Sequence, residues 1–168
     1  FHWFVEFYGI MKNGGFDVII GNPPYVRYYK VSGDYKIQRK SFFTYSTGNL
    51  YAFVVERCFQ LLGRKKRFSM IMPIASVSTA TMKQLQELYR NNCQQIWHSH
   101  YATRPGKLFV GVDMNLTITI ICQGLTLDSV HSTTYIRWYD GPNGNRSQIF
   151  DVLSYENLDI CLLYTSPS

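Results

Sequence analysis

The sequence predicts an α/β fold: part of an open, largely parallel sheet with helices packed on it, closed by an antiparallel hairpin. Three observations support this. A short apolar run over residues 16–21 ends at two consecutive prolines. Apolar strands then alternate with amphipathic helical segments, which is typical of parallel sheets. Finally, residues 94–101 and 115–123 both have strand character and no helical segment between them, which predicts a hairpin.

The first element is a strand over residues 16–21. Val18, Ile19 and Ile20 form the continuous apolar run expected of a parallel strand that is covered on both faces. Pro23 and Pro24 follow at once, and neither has an N–H group to continue a ladder. The chain is therefore predicted to turn near residue 22.

The turn itself, Asn22-Pro23-Pro24-Tyr25, has the properties of a preorganised binding site. Proline fixes φ at two positions and biases Asn22 toward an extended conformation. The Asn22 amide offers a donor and an acceptor, the Pro23 carbonyl an acceptor, and Tyr25 a stacking face. This set suits a planar amino group whose ring is clamped. A bare Pro-Pro pair would favour an ordinary loop, but the strand before it favours a site.

The next segment, residues 26–40, mixes basic and aromatic side chains. Its basic residues are Arg27, Lys30, Lys36, Arg39 and Lys40, and its tyrosines are Tyr28, Tyr29 and Tyr35. Basic groups neutralise phosphates, and tyrosines stack or form hydrogen bonds. In open α/β sheets ligands bind beyond the carboxyl ends of the strands, where this segment begins. We therefore predict nucleic-acid contact here rather than a plain solvated loop.

The remaining elements follow from periodicity. They are a helix over Leu50 to Leu62, a strand over Phe68 to Ile74, a helix over Thr79 to Asn91, and strands over Gln94 to Tyr101 and Asn115 to Gln123. The basic run over residues 64–67 is predicted to be a solvated turn at the opposite edge of the sheet from the Pro-Pro corner. His98 and His100 share one strand face, and without a third ligand nearby they predict packing or surface roles rather than a metal site.

Composition narrows the class of protein. The 168 residues are 46% hydrophobic, which predicts a globular domain, and the net charge of +6 is compatible with a polyanionic partner. Four widely spaced cysteines with no C-x-x-C pair predict neither a zinc site nor a disulfide framework. No leader and no apolar run of membrane-spanning length are present in the sequence, so we expect no membrane contact, a cytoplasmic location, and a piece of a longer chain.

Two blocks together resemble one enzyme family. Gly14-Gly15-Phe16-Asp17 leads into Asn22-Pro23-Pro24-Tyr25-Val26-Arg27, and a second block starts at Gly48-Asn49-Leu50-Tyr51-Ala52-Phe53 and continues toward Pro73. In this order they resemble the adenine-specific DNA methyltransferases of type IIG and related restriction-modification systems. The resemblance covers roughly residues 1–123. It implies the carboxyl-side half of a Rossmann-like methyltransferase sheet, with the glycine-rich cofactor motif upstream of Phe1.

The resemblance also implies residue roles. The family transfers a methyl group from S-adenosylmethionine to the N6 amino group of a flipped adenine, with no metal. It gives catalytic roles to Asn22, Pro23, Pro24 and Tyr25, cofactor contacts to Asn22, Asn49 and Tyr51, and a substrate contact to Phe109. The basic loop adds Arg27 and Lys30 as substrate contacts through the phosphates of DNA. Two of these positions have a plainer interpretation from the residues themselves. Tyr51 is equally explained as a core side chain, and Phe109 as a loop anchor buried against the sheet.

The sequence divides into three regions, and the resemblance fades after the first. Residues 1–123 would be the carboxyl-side half of the catalytic domain. Residues 124–160 would extend it toward a target-recognition region, with Thr133 to Tyr139 and Ser147 to Leu153 predicted to form a hairpin about Gly141-Pro142-Asn143-Gly144-Asn145. Residues 161–168 resemble a non-native tail. The expected partners are double-stranded DNA and the rest of the parent chain, which would supply the upstream cofactor half and the downstream recognition region.

Two alternatives remain open at the level of sequence. The same corner serves any planar amine or amide, so an RNA-adenine or protein-glutamine methyltransferase fits it, although the flanking blocks favour DNA. The other alternative is an inactive fragment, because the upstream cofactor motif is missing from these 168 residues.

Overall fold

A computed structural model describes residues 2–31, 33, 36–139, 144 and 146–158. Its centre is a six-stranded mixed sheet in the order β1-β2-β4-β3-β5-β6, which confirms the α/β prediction. The strands are β1 (Phe16–Gly21), β2 (Leu62–Pro73), β3 (Cys93–Tyr101), β4 (Leu116–Gln123), β5 (Ser129–Ile136) and β6 (Glu156–Leu158). The helices are α1 (Trp3–Glu6), α2 (Tyr8–Lys12), α3 (Leu50–Leu61), α4 (Ala75–Ser78) and α5 (Lys83–Asn92).

The strand directions bring four carboxyl ends to one edge of the sheet. β1 pairs in parallel with β2, and β3 with β5, while β4 lies antiparallel between β2 and β3. β1, β2, β3 and β5 therefore all run the same way. We call the edge at which they end, at Gly21, Pro73, Tyr101 and Ile136, the carboxyl edge. The predicted antiparallel hairpin is confirmed by the β3–β4 pairing, with Tyr101 opposite Leu116.

The main core lies between the sheet and helices α3 and α5. Helix α3 contributes Ala52, Val55 and Phe59, which recur at three- and four-residue spacing and are buried. They pack with Phe68 and other strand side chains in one cluster. A second cluster on the other side of the hairpin contains Tyr101, Ile136, Trp138 and Ile149. The described core thus consists of two separate clusters.

The basic run over residues 64–67 belongs to β2 and does not form the predicted turn. Pairing with β1 jumps from Phe16–Leu62 to Val18–Arg67, so extra residues of β2 bulge out of the ladder. Lys65 adopts a positive φ of 56° within this bulge. Arg64, Lys65 and Arg67 are exposed, and the run lies at the edge opposite the carboxyl edge, as the topology predicted.

The second predicted helix begins later than its periodicity suggested. Thr79 has an extended backbone, with φ −116° and ψ 145°, and it separates α4 from the turn that leads into α5. Its hydroxyl donates to the Ala75 carbonyl at 2.9 Å instead of capping α5. The apolar residues of the predicted helix, including Leu85 and Tyr89, nevertheless face the core.

The hairpin predicted near the carboxyl terminus is wrong. β5 pairs in parallel with β3, and β6 adds to its other side in antiparallel. Residues 147–153 form turns instead of a strand, and Ile149 fills the second core cluster. The alternating pattern was correct for an extended segment, but its partner lies far away in sequence. Most of the predicted connecting turn, and the whole of residues 161–168, lie outside the described residues.

β1 is an edge strand of the described sheet, and one of its two faces is open, so the prediction that both faces are covered is wrong for the part of the chain described. The side chains of Val18 and Ile20 are 55% and 77% exposed. An apolar groove of about 420 Å³ runs beside them, with Trp3, Val54 and Leu61 in its lining. An exposed apolar edge of this kind suits a further strand or an apolar segment. None of the described helices is long and apolar enough to span a bilayer.

His98 and His100 pack between strands. His98 Nδ1 lies 3.0 Å from Thr119 Oγ1, and His100 Nε2 lies 3.0 Å from Ser132 Oγ. The two rings stack with centroids 6.1 Å apart. Burial, with a smaller contribution from His100, lowers the pKa of His98 from 6.5 to about 3.

These histidines predict acid sensitivity of β3. Below pH 6.5 the unfolded chain binds a proton at position 98 that the folded chain does not, so stability is present above that pH and is lost as pH falls toward about 3. Within this range the free energy of unfolding falls by up to about 1.4 kcal/mol for each unit by which the pH is lowered. Hydrogen exchange of residues 93–101, corrected for intrinsic rates, should show lower protection at pH 5 than at pH 7. His98→Asn should reduce that difference, and equal protection in the unsubstituted protein would contradict the assignment.

Candidate active site

The corner after β1 lies at the carboxyl edge. β1 ends with Gly21 paired to Met70, and the next residue, Asn22, is exposed. The Pro23 ring is buried and anchors the turn, whereas Pro24 and Asn22 are exposed. A Cβ at Gly21 would lie 2.9 Å from Met70 Sδ, so a larger residue there would require the flexible end of the Met70 side chain to shift. The corner therefore presents the Asn22 amide at the surface from a fixed backbone.

Tyr25 is held against the end of β2. Its hydroxyl donates to the Ile71 carbonyl at 3.0 Å, one residue beyond the last β1–β2 pair, where that carbonyl has no β1 partner. The ring is half-buried and packs on the main core cluster. Burial raises the pKa of Tyr25 to about 12, so the hydroxyl remains a donor at neutral pH. The hydroxyl is thereby committed to the scaffold, and what remains of the side chain for a ligand is the ring.

The two sequence blocks of the site are joined by the backbone. Two hydrogen bonds connect them, from the Tyr28 N–H to the Gly48 carbonyl at 2.8 Å and from the Leu50 N–H to the Val26 carbonyl at 3.0 Å. Arg27 and Asn49 face each other in the bridge between these bonds. Gly48 has a φ of 61°, which favours glycine. The segment after the Pro-Pro corner is thus fixed to the start of α3.

Asn49 and Tyr51 occupy different environments. Asn49 is half-buried beside the corner segment, and its amide donates to the Thr47 carbonyl at 2.7 Å. Tyr51 is only 3% exposed, and its hydroxyl donates to Met82 Sδ at 3.4 Å. Burial raises the pKa of Tyr51 to about 12, against a lowering effect of Arg27. The placement of Tyr51 in the core agrees with the plainer of the two interpretations given to it from sequence, whereas Asn49 is half-buried and bridges to Arg27 in the segment after the corner.

Sequence reasoning missed Glu56, a buried carboxylate on α3. Its Oε1 accepts from the Phe43 N–H at 2.9 Å, and its Oε2 accepts from the Thr44 N–H at 2.8 Å and the Thr44 hydroxyl at 2.7 Å. Glu56 is 7% exposed. It therefore fixes the segment that returns from the basic loop onto α3. The available signal was an acidic residue on the apolar face of a predicted helix.

The basic loop divides into scaffold and surface. Tyr28 packs edge-on against Tyr45 and Phe53, and its hydroxyl accepts from the Ile37 N–H at 2.7 Å, so its role is structural. Tyr29 is 67% exposed. The basic side chains of the loop are all exposed: Arg27, Lys30, Lys36, Arg39 and Lys40. Tyr35 lies outside the described residues.

Phe109 belongs to the loop between β3 and β4, which leaves from the carboxyl edge. Its neighbour Leu108 packs on the second core cluster, while Phe109 is 37% exposed and Val110 is 99% exposed. The anchor proposed for Phe109 is thus provided by Leu108, and the phenyl ring of Phe109 is accessible. The loop places it on the same edge of the sheet as Asn22 and Tyr25.

A family model matches much of the chain. Residues 1–104 match the model described as Eco57I restriction-modification methylase. No curated protein sequence matches the chain.

Several solved structures share the fold at low identity. A DrdV–DNA complex matches with a TM-score of 0.64 and 11% identity, over 92% of this chain and 18% of that one. A nuclease-deletion mutant of the type ISP restriction-modification enzyme LlaGI, bound to a DNA substrate mimic, matches with a TM-score of 0.63 and 12% identity. The match covers 92% of this chain and 18% of that one. A modification subunit of a putative type I restriction enzyme from Vibrio vulnificus matches with a TM-score of 0.58 and 15% identity. The match covers 86% of this chain and 34% of that one. The chain thus spans about a fifth to a third of these proteins.

Proposed function

Because the chain belongs to the Eco57I restriction-modification methylase family, we propose that it is part of the catalytic domain of a DNA methyltransferase that modifies adenine at N6. The observation that carries this is the corner at the carboxyl edge: an exposed Asn22 amide on a proline-fixed backbone, next to a Tyr25 ring that its hydroxyl anchors to Ile71. The donor, acceptor and stacking groups match an amino-substituted planar base.

Such a base must leave the duplex before it can react. Flipping a nucleotide out of the stack costs a few kcal/mol. Stacking on an aromatic side chain returns about 1 to 3 kcal/mol per base. In this proposal Tyr25 provides one stacking face, because its ring is fixed in place before the base arrives. Phe109, exposed on the same edge, provides the other face.

The corner also explains how the amine becomes reactive. The adenine amino group is a poor nucleophile because its lone pair is delocalised into the ring. Its two N–H groups donate hydrogen bonds to Asn22 Oδ1 and to the Pro23 carbonyl oxygen. These bonds favour a pyramidal nitrogen and fix the direction from which it attacks. S-adenosylmethionine supplies an electrophilic methyl group: the nitrogen–carbon bond forms as the carbon–sulfur bond breaks, and the amine then releases a proton. The products are N6-methyladenine, S-adenosylhomocysteine and H⁺.

We propose that this chain forms only part of the site for S-adenosylmethionine. Asn22 and Asn49 have polar amides at the joined blocks, and we propose that they line it. The remainder of the cofactor site would come from an upstream segment of the parent protein that continues the sheet beyond β1, where Val18 and Ile20 are exposed. In this arrangement residues 1–123 form the carboxyl-side half of the catalytic domain, and the chain from residue 124 leads toward a recognition region.

DNA contact would come from the basic loop. The exposed Arg27 and Lys30 leave directly from the catalytic corner, so phosphates that flank the flipped base are within the reach of their side chains. Backbone hydrogen bonds on both sides of Arg27, from Leu50 to Val26 and from Tyr28 to Gly48, hold the start of this segment beside the start of α3. The fold is shared with a DrdV–DNA complex and with the type ISP restriction-modification enzyme LlaGI bound to a DNA substrate mimic, which supports a DNA partner.

The function is tested by measuring which acceptor receives the methyl group of labelled S-adenosylmethionine. The full-length parent is incubated in parallel with unmethylated DNA, with RNA and with protein acceptors. We expect label on DNA alone. Label on RNA or on protein glutamine instead would overturn the DNA assignment while retaining an amino or amide methyltransferase, and no transfer to any acceptor would favour an inactive protein.

Substitutions of Tyr25 separate stacking from anchoring. Tyr25→Ala removes the ring, so kcat/KM for DNA should fall by about 5- to 150-fold, corresponding to about 1 to 3 kcal/mol of lost stacking. Tyr25→Phe keeps the ring and loses only the hydrogen bond to Ile71, so its loss should be smaller. S-adenosylmethionine affinity serves as the control and should change little in either variant. Equal losses in the two variants would argue against a stacking role.

A further inference from the structure

A second feature of the carboxyl edge lies outside the catalytic corner. It is a cleft of about 810 Å³ beyond the ends of β3 and β5. Its described lining contains two arginines, two tyrosines and no carboxylate; the residues are Ala102, Thr103, Arg104, Pro105, Asn115, Tyr135, Arg137 and Tyr139. We call it the Arg104–Arg137 cleft. None of the residue roles given above falls on these two arginines.

The backbone builds this cleft in a regular way. The Ala102 N–H donates to the Ile136 carbonyl at 3.0 Å, and the Gly106 N–H donates to the Trp138 carbonyl at 2.8 Å. The residues between these bonds include Arg104 on one segment and Arg137 on the other. A Cβ at Gly106 would lie 2.6 Å from Trp138 Nε1 and 2.9 Å from the Trp138 carbonyl oxygen. The two segments are therefore in direct contact, and they hold the two arginines on one surface.

The side chains alternate along the segment that continues β5. Ile136 and Trp138 are 9% and 1% exposed and belong to the second core cluster. Tyr135 and Tyr139 are 49% and 68% exposed, and Arg137 is also exposed. Side chains of a strand alternate between its two faces. Tyr135, Arg137 and Tyr139 therefore point outward, while the residues between them are buried in the second core cluster. The outward groups thus stand on a well-packed support and not on an isolated loop.

The described lining of the cleft carries a positive charge. Neither arginine forms an ion pair with another described residue. The nearest acid in the same loop is Asp113, and its Oδ1 lies 3.1 Å from Lys107 Nζ. Lys107, with a smaller contribution from Arg104, lowers the pKa of Asp113, so that carboxylate is ionised but already paired. Two guanidinium groups therefore remain to attract an anion.

We propose that the Arg104–Arg137 cleft binds the phosphate backbone of the DNA that is methylated, at nucleotides beyond the flipped base. Guanidinium groups form paired hydrogen bonds with phosphate oxygens, and exposed tyrosines contact sugars or donate to phosphates. The cleft lies on the same edge of the sheet as Asn22, so one DNA segment along that edge meets both. This inference rests on the proposed function, because it extends the footprint of the same substrate.

The test is salt-dependent DNA binding by the full-length parent. A protein that loses phosphate contacts shows a weaker dependence of log K on log salt, by about 0.9 per phosphate. Arg104→Ala with Arg137→Ala should weaken binding and reduce this slope by about 2. The matched control is Arg64→Ala with Arg67→Ala, which removes the same charge from the opposite edge and should leave the slope unchanged.

The outcomes separate this inference from the function on which it rests. S-adenosylmethionine affinity, and the rate at saturating DNA, should be retained in the Arg104/Arg137 variant, because both arginines lie outside the catalytic corner. If the unsubstituted parent methylates DNA and the variant binds with the same affinity and slope, the cleft assignment fails and the function stands. If equal losses occur in the Arg64/Arg67 control, the effect is one of net charge, and the cleft assignment also fails. If the unsubstituted parent binds no DNA, both proposals fail.

Discussion

Substitution of Asn22 by alanine should reduce methyl transfer to DNA by about 10²- to 10³-fold or more. The expected loss is large because the hydrogen bond that Asn22 Oδ1 accepts from the attacking amine strengthens as the nitrogen becomes pyramidal, and interactions that strengthen in the transition state act mainly on kcat. Asn22 is exposed at the end of β1, so the fold should tolerate its truncation. DNA affinity should therefore change far less than kcat. The measurement is single-turnover methyl transfer by the full-length parent.

Asn22→Asp serves as the matched control. A carboxylate retains oxygen acceptors at the same position and loses the amide donor, so some activity should remain relative to Asn22→Ala. The far-ultraviolet circular dichroism of both variants should match that of the unsubstituted protein. Full activity in Asn22→Ala would contradict the catalytic role of the corner, and a parallel loss of DNA binding in that variant would point to substrate binding instead.

Substitution of Glu56 by alanine should have the largest effect on local stability. Three donors from Phe43 and Thr44 would lose a buried acceptor, which predicts a loss of about 2 to 4 kcal/mol of local stability. Glu56→Gln should also destabilise, because an amide directs an NH₂ group toward one of those donors. The measurement is hydrogen exchange of residues 42–48 in the parent protein, where protection should fall.

Glu87→Ala is the control for charge. Glu87 forms only a surface pair with Lys83, with a separation of 3.9 Å, and such pairs contribute little. Its removal should leave the exchange of residues 42–48 unchanged. The same protection in Glu56→Ala as in the unsubstituted protein would show that the segment is held by packing alone. If the segment does loosen, DNA affinity should fall with it, because the basic loop returns to the fold through residues 42–48.

Local patterns predicted the elements of the fold where pairing is also local or strongly apolar. The β1 strand, its end at the Pro-Pro corner, helix α3 and the β3–β4 hairpin all follow from short-range signals. The pairing of β5 did not, because its alternation suits any neighbour and the actual partner, β3, lies across an intervening strand in sequence. The same reason explains the misplaced basic run: a bulge opposite β1 is fixed by register and not by composition.

The candidate site divides in a similar way. The corner was evident from Asn22 to Tyr25, because proline geometry is a local property. The attachment of Tyr25 to Ile71 and of Glu56 to Thr44 could not be read from the sequence, since each is a contact over 12 or more residues. Periodicity alone left Tyr51 between a core and a site role, and only packing distinguishes its environment from that of Asn49.

The most direct test of the central claim is the identity of the methylated nucleoside. DNA from a strain that lacks its own methyltransferases is treated with the full-length parent and labelled S-adenosylmethionine, then digested and analysed by mass spectrometry. The proposed chemistry at Asn22 and Pro23 predicts N6-methyladenine, which disappears in Asn22→Ala. A ring-carbon product such as 5-methylcytosine would contradict it, because that reaction does not use a hydrogen-bonded amine as the nucleophile.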